Sequence, residues 1–454
     1  MDTDVLRRRI AEGMPRTIDE LERLVRIPSV GYPGYDPTHV RASAEATADI
    51  LRASGLGEVR LLELDGGHPA VFGELEGPDD SPTVLLYAHH DVQPAPDPDA
   101  WQTPPFDPHV REGRLYGRGA ADDKSGIVVH AAAIRASLDR GPLPCTVKVL
   151  VEGEEECSAE HLPELVSGHA DLLRADVAVI ADGGNYRTGV PTLGTSVRGV
   201  TSVEVRVDVL ELAQHSGTFG GPLPDAVMAL ARMIASLHDD DGNLTLRGLR
   251  SFEWPGTQVP EDEFRDDGRV LPEVRLIGSG TIADRMMSKP AINVLAFEAP
   301  RVTDSANQIV PTARAVIGLR LAPGDDGERA TRILAEHLRG AAPWGVRVTV
   351  EQHEPGDGYL VDASSPASTA AKAALAEAFA AEVVEMGSGG SIPLVPRLAE
   401  TFPGIQVLIW GQGDHRSNYH STDESVDIGD LERMVLTEAL FLGRLAEADA
   451  RLER

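Results

Sequence analysis

The sequence predicts an α/β fold, a largely parallel β-sheet covered by helices, interrupted by a smaller α+β domain of ferredoxin-like order. Three observations lead there. Short apolar runs ending in acid or imidazole alternate with amphipathic stretches of helical period up to residue 197 and again from residue 361, as strand–helix–strand units require. Between residues 198 and 360 the order changes to β-α-β-β-α-β. The 454 residues suit two or three domains, and 42% apolar residues supply a substantial core. The first domain is therefore expected to be discontinuous, 1–197 with 361–454, and the second, 198–360, to be inserted in it. An insertion joined by two crossings can hinge as a lid.

Residues 1–60 carry two amphipathic helical segments, around 19–25 and 39–54. Extended segments at 59–64 and 70–75 precede VLL at 84–86, whose β-formers point to a buried strand. A Pro- and Asp-rich loop, 93–108, leads into 114–119. DKSGIVVHAAAIRASLDR (123–140) reads as a helix, TVKVLV (146–151) as a strand, 162–174 as a helix and VAVIA (177–181) as a strand. In the insertion, 200–210 alternates apolar and polar residues, 224–238 and 327–342 are helical, and 292–299, 314–321 and 346–353 are strands. Residues 239–284 have irregular polarity and read as a long excursion. A helix at 367–380, a strand at 405–411 and a closing helix at 430–454 resume the first domain.

Net charge is −30, from 72 acidic and 42 basic residues. That argues against nucleic acid or an anionic membrane as partner, since both call for a basic surface. No apolar run is long enough to span a bilayer, and MDTDVLRRRIAEGM lacks a signal-peptide core. Cys145 and Cys157 are too few for a disulfide framework, so a cytoplasmic setting is expected.

Chemistry in such sheets gathers at the carboxyl ends of strands. The run 84–88 ends in His89-His90-Asp91, and an Asp two residues after a His can orient a metal-binding ring. In YGRGAADDKSG (116–126), glycines allow a tight loop in which one of Asp122 and Asp123 turns inward while the other caps the next helix. LVEGEEECS (150–158) holds four glutamates within five residues, which repel one another unless cations are near. An exposed acidic loop would have the same letters. The alternative is divided labour, one carboxylate on metal and its neighbour moving protons, as in metal-dependent hydrolases. Asp182 ends VAVIAD, and HSTDES (420–425) follows the strand QVLIW, with His415 a competitor of His420. With His420, the set His89, Asp122, Glu156, Asp182 has two imidazoles and three carboxylates, which suits two zinc-like ions sharing one carboxylate.

These motifs together resemble the co-catalytic di-zinc exopeptidases and amidohydrolases, which include carnosinase-like cytosolic dipeptidases, bacterial glutamate carboxypeptidase, aminoacylase and succinyl-diaminopimelate desuccinylase. The resemblance runs through nearly the whole chain. It implies a zinc-exopeptidase-like mixed sheet and an inserted ferredoxin-like lid and dimerisation domain. It implies that His89 binds one metal with Asp91 holding its ring, that Asp122 bridges both metals, and that Glu156, Asp182 and His420 complete the sites, with Glu155 as general base and then acid. His215, in HSGTFGG, is then the lid histidine that stabilises the oxyanion across a homodimer interface. Arg320, in GLRLAPG, and the GSGGSIP loop (387–393), with Gly390 and Ser391, would hold a substrate carboxylate. There are departures: His90 stands where relatives usually have Tyr, Ser158-Ala159 replaces a common Gly-Ser, and Asp423 replaces a common Asn. The spacing of 306–311 differs, which leaves Asn307 and Gln308 without a role.

The expected activity is hydrolysis, by metal-activated water, of an amide bond near a free carboxylate, in a dipeptide. Two divalent ions per subunit are implied, zinc first, with manganese or cobalt as alternatives. Two other readings stand beside it: an N-acyl-amino-acid deacylase acting on acetyl or succinyl groups, and a non-catalytic binding protein on this fold. HSGTFGG, GSGGSIP and the long insertion favour the dipeptidase, and the presence of Glu155 and every ligand position speaks against the binding protein.

Overall fold

Residues Val84 to Ala88 are fully buried, and they form the central strand Thr83–His89. The computed structural model describes residues 3–95, 97–139, 141–157, 160–353 and 355–449. Ser158 and Ala159, and the end of the helix expected at 430–454, lie outside them. Thr83–His89 pairs in parallel with Thr146–Glu152 on one side and Val177–Ile180 on the other, and Gln406–Ile409 continues the parallel set. These strands are nearly continuous apolar runs because both faces of such a sheet are covered. Its flanks are antiparallel: Ala70–Leu75 joins Thr146–Glu152, Glu58–Leu62 lies beyond it, and Thr192–Val197 meets Gln406–Ile409. The sheet is therefore mixed, with a parallel centre.

Helix Lys124–Leu138 packs on the central strand and is buried on nearly every face, as a helix inside a covered layer must be. It also meets Thr3–Val25 and Ile428–Asp449. The helix expected at 162–174 is two short ones, Leu162–Gly168 and Ala170–Leu173, parted at His169. A small sheet was not foreseen. His109–Arg111 and Arg114–Tyr116 form a hairpin, and Ser425–Asp427 adds to it from far along the chain. Its turn residues, Glu112 and Gly113, both have positive φ (50° and 77°), the two-residue turn that matches strand twist.

The chain divides into two compact units. One holds residues up to Thr195, Val361–Met386 and residues from Ile392 onward; the other holds Ser196–Leu360 and Gly387–Ser391. The sequence reading left 387–391 with the first unit. Backbone bonds from Ser388 N to the Ser196 carbonyl (2.7 Å) and from Arg198 N to the Gly390 carbonyl (2.9 Å) tie it to the second. The second unit's sheet runs Ala291–Glu298, Thr312–Leu321, Gly199–Asp208, Arg347–Gln352, all antiparallel. Val203, Val205 and Val207 alternate inward along Gly199–Asp208. Helices Ala226–Ala235 and Gly327–Gly340 pack on this sheet, and the side chains of Asp225 and Asp326 cap them. Strand order and helix placement are ferredoxin-like. The edge strand Ala291–Glu298 leaves Val294, Leu295 and Phe297 exposed. No described helix is long and apolar enough to cross a membrane.

Candidate active site

His89 closes the central strand and is fully buried. Its Nδ1 lies 3.1 Å from the Asp91 carbonyl oxygen and 3.4 Å from Asp91 Oδ1, and its Nε2 lies 3.1 Å from Asp122 Oδ1. The Asp91 carboxylate does more than hold that ring. It accepts the backbone N–H groups of Glu155 (3.2 Å) and Glu156 (3.0 Å), so it also clamps the acidic turn after Thr146–Glu152. The neighbouring His90 is directed elsewhere. Its Nε2 meets the Pro69 carbonyl at 2.9 Å, and burial pushes its pKa down to about 4, which leaves it neutral.

Asp122 stands between two imidazoles, Oδ1 toward His89 and Oδ2 3.0 Å from His420 Nε2. Glu156 Oε2 lies 3.4 Å from the same His420 nitrogen and accepts from Gln93 Nε2 at 2.8 Å. Two groups result, His89–Asp122–Asp182 and Asp122–Glu156–His420, and within each the ligand atoms lie within 4.8 Å of one another. Asp122 is common to both. His415 is exposed and belongs to neither group. Asn418, His420 and Asp423 all have φ near 55°, so the His420 loop holds a backbone form that non-glycine residues adopt only under constraint. The capping role open to Asp123 is not made: it precedes Lys124–Leu138 without a side-chain cap bond.

The four glutamates divide as follows. Glu152 accepts from the Tyr87 hydroxyl, and Glu154 accepts from His68 N and pairs with His161 Nδ1, each at 2.8 Å. Glu156 belongs to the second ligand group. Glu155 belongs to neither group; burial, then Asp182, pushes its carboxyl well above the usual range. Burial and Asp122 likewise raise Asp182 to about 7. Burial opposes charge on His420, yet Asp122 and Glu156 outweigh it and raise the ring to about 10. Crowded buried carboxylates against two imidazoles leave a deficit of positive charge, and imidazole nitrogen with carboxylate oxygen is the donor set of zinc-like ions. The residues present fit two such ions with Asp122 shared.

In the second unit, His215 ends the two-residue strand Gln214–His215 and is exposed. Its Nδ1 accepts from Gly217 N (3.1 Å) and Thr218 N (3.2 Å), so the neutral ring carries its proton on Nε2, as a donor. Gln308 pairs with His215, and the Asn307 carbonyl accepts from Ser216 N, a supporting role that spacing did not reveal. Arg320 Nη1 donates to Ser391 Oγ at 2.8 Å. Gly390 is held by the bond from Arg198 N and by Ser388 Oγ, which accepts from Gly390 N. The Arg198 guanidinium, unremarked in the sequence, is buried among the carbonyls of Met286, Lys289, Arg320 and Leu321. Glu424 was also passed over, although it lies within the quoted HSTDES; its carboxylate accepts from Asp122 N.

Known proteins resemble this chain in sequence and in fold. The chain is 37% identical over 433 residues to the cysteinylglycine-S-conjugate dipeptidase of Corynebacterium striatum, covering 94% of this chain and 95% of that one. It is 27% identical to the Cys-Gly metallodipeptidase DUG1 of Candida albicans, over 92% of each. The solved structure of human carnosine dipeptidase 1 superposes with a TM-score of 0.85 at 23% identity, over 98% of this chain and 99% of that one, a likeness of fold. Residues 85–444 match the model of peptidase family M20/M25/M40. By the extent of that match and the identity to its full-length relative, the chain belongs to peptidase family M20/M25/M40.

Proposed function

We propose that this metallopeptidase hydrolyses free dipeptides at a two-ion site. The observation that carries the reading is Asp122 held between His89 and His420, with Glu155 on the turn that also bears Glu156. His89, Asp122 and Asp182 would hold one ion, and Asp122, Glu156 and His420 the other. Two divalent ions there, zinc by preference with manganese or cobalt as alternatives, supply Lewis acidity and make water nucleophilic at neutral pH. Glu155 accepts a proton from the attacking water and delivers it to the leaving amine. His215 of the partner subunit donates its Nε2–H to the developing oxyanion. Arg320, Ser391 and the Gly390 backbone receive the substrate carboxylate.

The second unit acts as lid and dimerisation domain, and the exposed Val294, Leu295 and Phe297 on its edge strand support a homodimer. Relatives named as dipeptidases for cysteinylglycine and its S-conjugates support a dipeptide over an acylated amino acid. The two cysteines, which form no disulfide, support a cytoplasmic setting.

The test is hydrolysis of a dipeptide panel by chelator-treated protein, with and without added zinc, manganese or cobalt. Metal-restored cleavage is expected, with N-acetyl and N-succinyl amino acids turned over poorly. Two bound ions without dipeptide cleavage would move the substrate to acyl-amino acids, and no metal uptake would refute the reading.

A further inference from the structure

The loop that delivers Asp122 is not self-supporting. Glu424 is fully buried, and all of its carboxylate is spent on that loop. Oε1 accepts from Ala121 N (2.9 Å) and Asp122 N (3.1 Å); Oε2 accepts from Gly119 N (3.0 Å) and Arg118 Nη1 (2.7 Å). Arg118 is buried as well, beneath the Trp101 ring. Its Nη2 donates to the carbonyls of Pro94 (3.3 Å) and Ser421 (3.1 Å). One ion pair thus joins three segments: the chain just after the His89 strand, the Asp122 loop and the His420 loop.

The two ligand groups depend on this pair unequally. His89 is fixed by its own strand and by Asp91, and Asp182 closely follows the strand Val177–Ile180. His420 lies on the loop with left-handed residues at Asn418, His420 and Asp423. Arg118 holds that loop at Ser421, and Gly117 N donates to the Glu424 carbonyl at 2.9 Å. We propose that Arg118 and Glu424 are positioning residues that register Asp122 against His420: they hold the Asp122–Glu156–His420 group at two of its ligand loops and the His89–Asp122–Asp182 group only through the shared Asp122, so the affinity of the former depends on them more. The inference rests on the two-ion reading above. Outer partners of ligands typically govern metal affinity by about 10–100-fold. Here that effect falls harder on one ion than on the other, because His420 belongs to one group alone.

The experiment is titration of chelator-treated protein with cobalt(II), followed by visible absorption and calorimetry, on wild type and Glu424→Gln. The amide keeps the size of the side chain but turns an NH2 toward backbone donors and leaves Arg118 unpaired. Wild type should take up two ions. Glu424→Gln should weaken one binding step by about 10–100-fold and the other by clearly less. Two unchanged steps, or two steps weakened alike, would overturn the proposal. Fewer than two ions on wild type would instead overturn the two-ion reading, and this inference with it. Should Glu424→Gln fail to fold by circular dichroism, Arg118→Lys serves: it keeps the charge but not the fork that reaches Pro94 and Ser421. The same selective weakening is expected, and equal or absent weakening refutes it.

Discussion

Replacing Glu155 by Gln isolates one proton-transfer group inside a cluster of four glutamates. The backbone bond from Glu155 N to Asp91 Oδ1 survives the change, since it does not use the side chain. The amide is nearly isosteric, and Glu155 stands in neither ligand group, so metal content should stay at the wild-type level. On the proposed two-ion reading, Asp122, Glu156 and Asp182 are taken up as ligands and cannot stand in as base. General acid–base catalysis contributes about 10²–10⁴-fold, so kcat should fall by that factor, about 3–5 kcal/mol at 1.36 kcal/mol per decade. The matched control is Glu154→Gln. That carboxylate is buried and occupied by His68 N and His161, which are in neither ligand group, so its replacement should leave kcat within about threefold. Steady-state rates on a free dipeptide, with metal measured on the same samples, decide it. A Glu155→Gln enzyme within tenfold of wild type, or a Glu154→Gln enzyme equally impaired, would refute the division of labour.

Three further expectations concern other parts of the chain. His215→Ala should lower kcat by about 10²–10³-fold with metal content intact, and mixing it with Glu155→Gln subunits should restore activity, because hybrid dimers own one complete site. No restoration after confirmed subunit exchange would refute the cross-subunit role. Arg320→Met should raise KM for a dipeptide by about 10–100-fold, the worth of a charged hydrogen bond, and leave KM for the C-terminally amidated dipeptide nearly unchanged. Equal effects on both substrates would mean that Arg320 does not read the carboxylate. Arg114 pairs in two-pronged fashion with Asp414 (2.7 and 3.0 Å), and both are buried. Arg114→Met strands that carboxylate and should cost about 3–5 kcal/mol in denaturant unfolding; a loss under 1 kcal/mol would show that the pair is dispensable.

The parallel centre of the sheet was legible because strands covered on both faces are continuous apolar runs, and each predicted ligand except His420 lies within a few residues of such a run or of the glycine loop. His420 against His415, and Glu155 against its neighbours, could not be separated by local pattern. Both choices depend on which side chain a turn directs inward, and the turns are set by partners elsewhere in the chain. The acidic turn is set by Asp91, 64 residues before Glu155. The Glu112-Gly113 hairpin was missed because two three-residue strands are too short to show a period, and their third strand lies about 300 residues away. Membership of Gly387–Ser391 in the second unit was hidden for a similar reason: it rests on backbone bonds to residues 196 and 198, which carry no sequence signature.

The ambiguities on the ligand-bearing turns share a physical cause. Wherever a ligand-bearing loop leaves the regular sheet, its backbone N–H groups lose their ladder partners and must be paired by something else. In the first unit that partner is repeatedly a buried carboxylate, most often from a distant part of the chain. Asp91 serves the Glu155–Glu156 turn, Glu424 the Asp122 loop and Asp430 the Gly189 backbone, while Asp414 serves its own loop at Arg416. A carboxylate can accept several N–H groups at once, which a neutral side chain of that size cannot. An acidic composition thus does two things here that a residue count cannot separate, furnishing ligands and fastening the loops that carry them. Part of the acidic content behind the formal charge of −30 lies where water does not reach. Neutralising the fastening carboxylates should therefore cost site order before it costs the core, whose apolar strands are continuous without them.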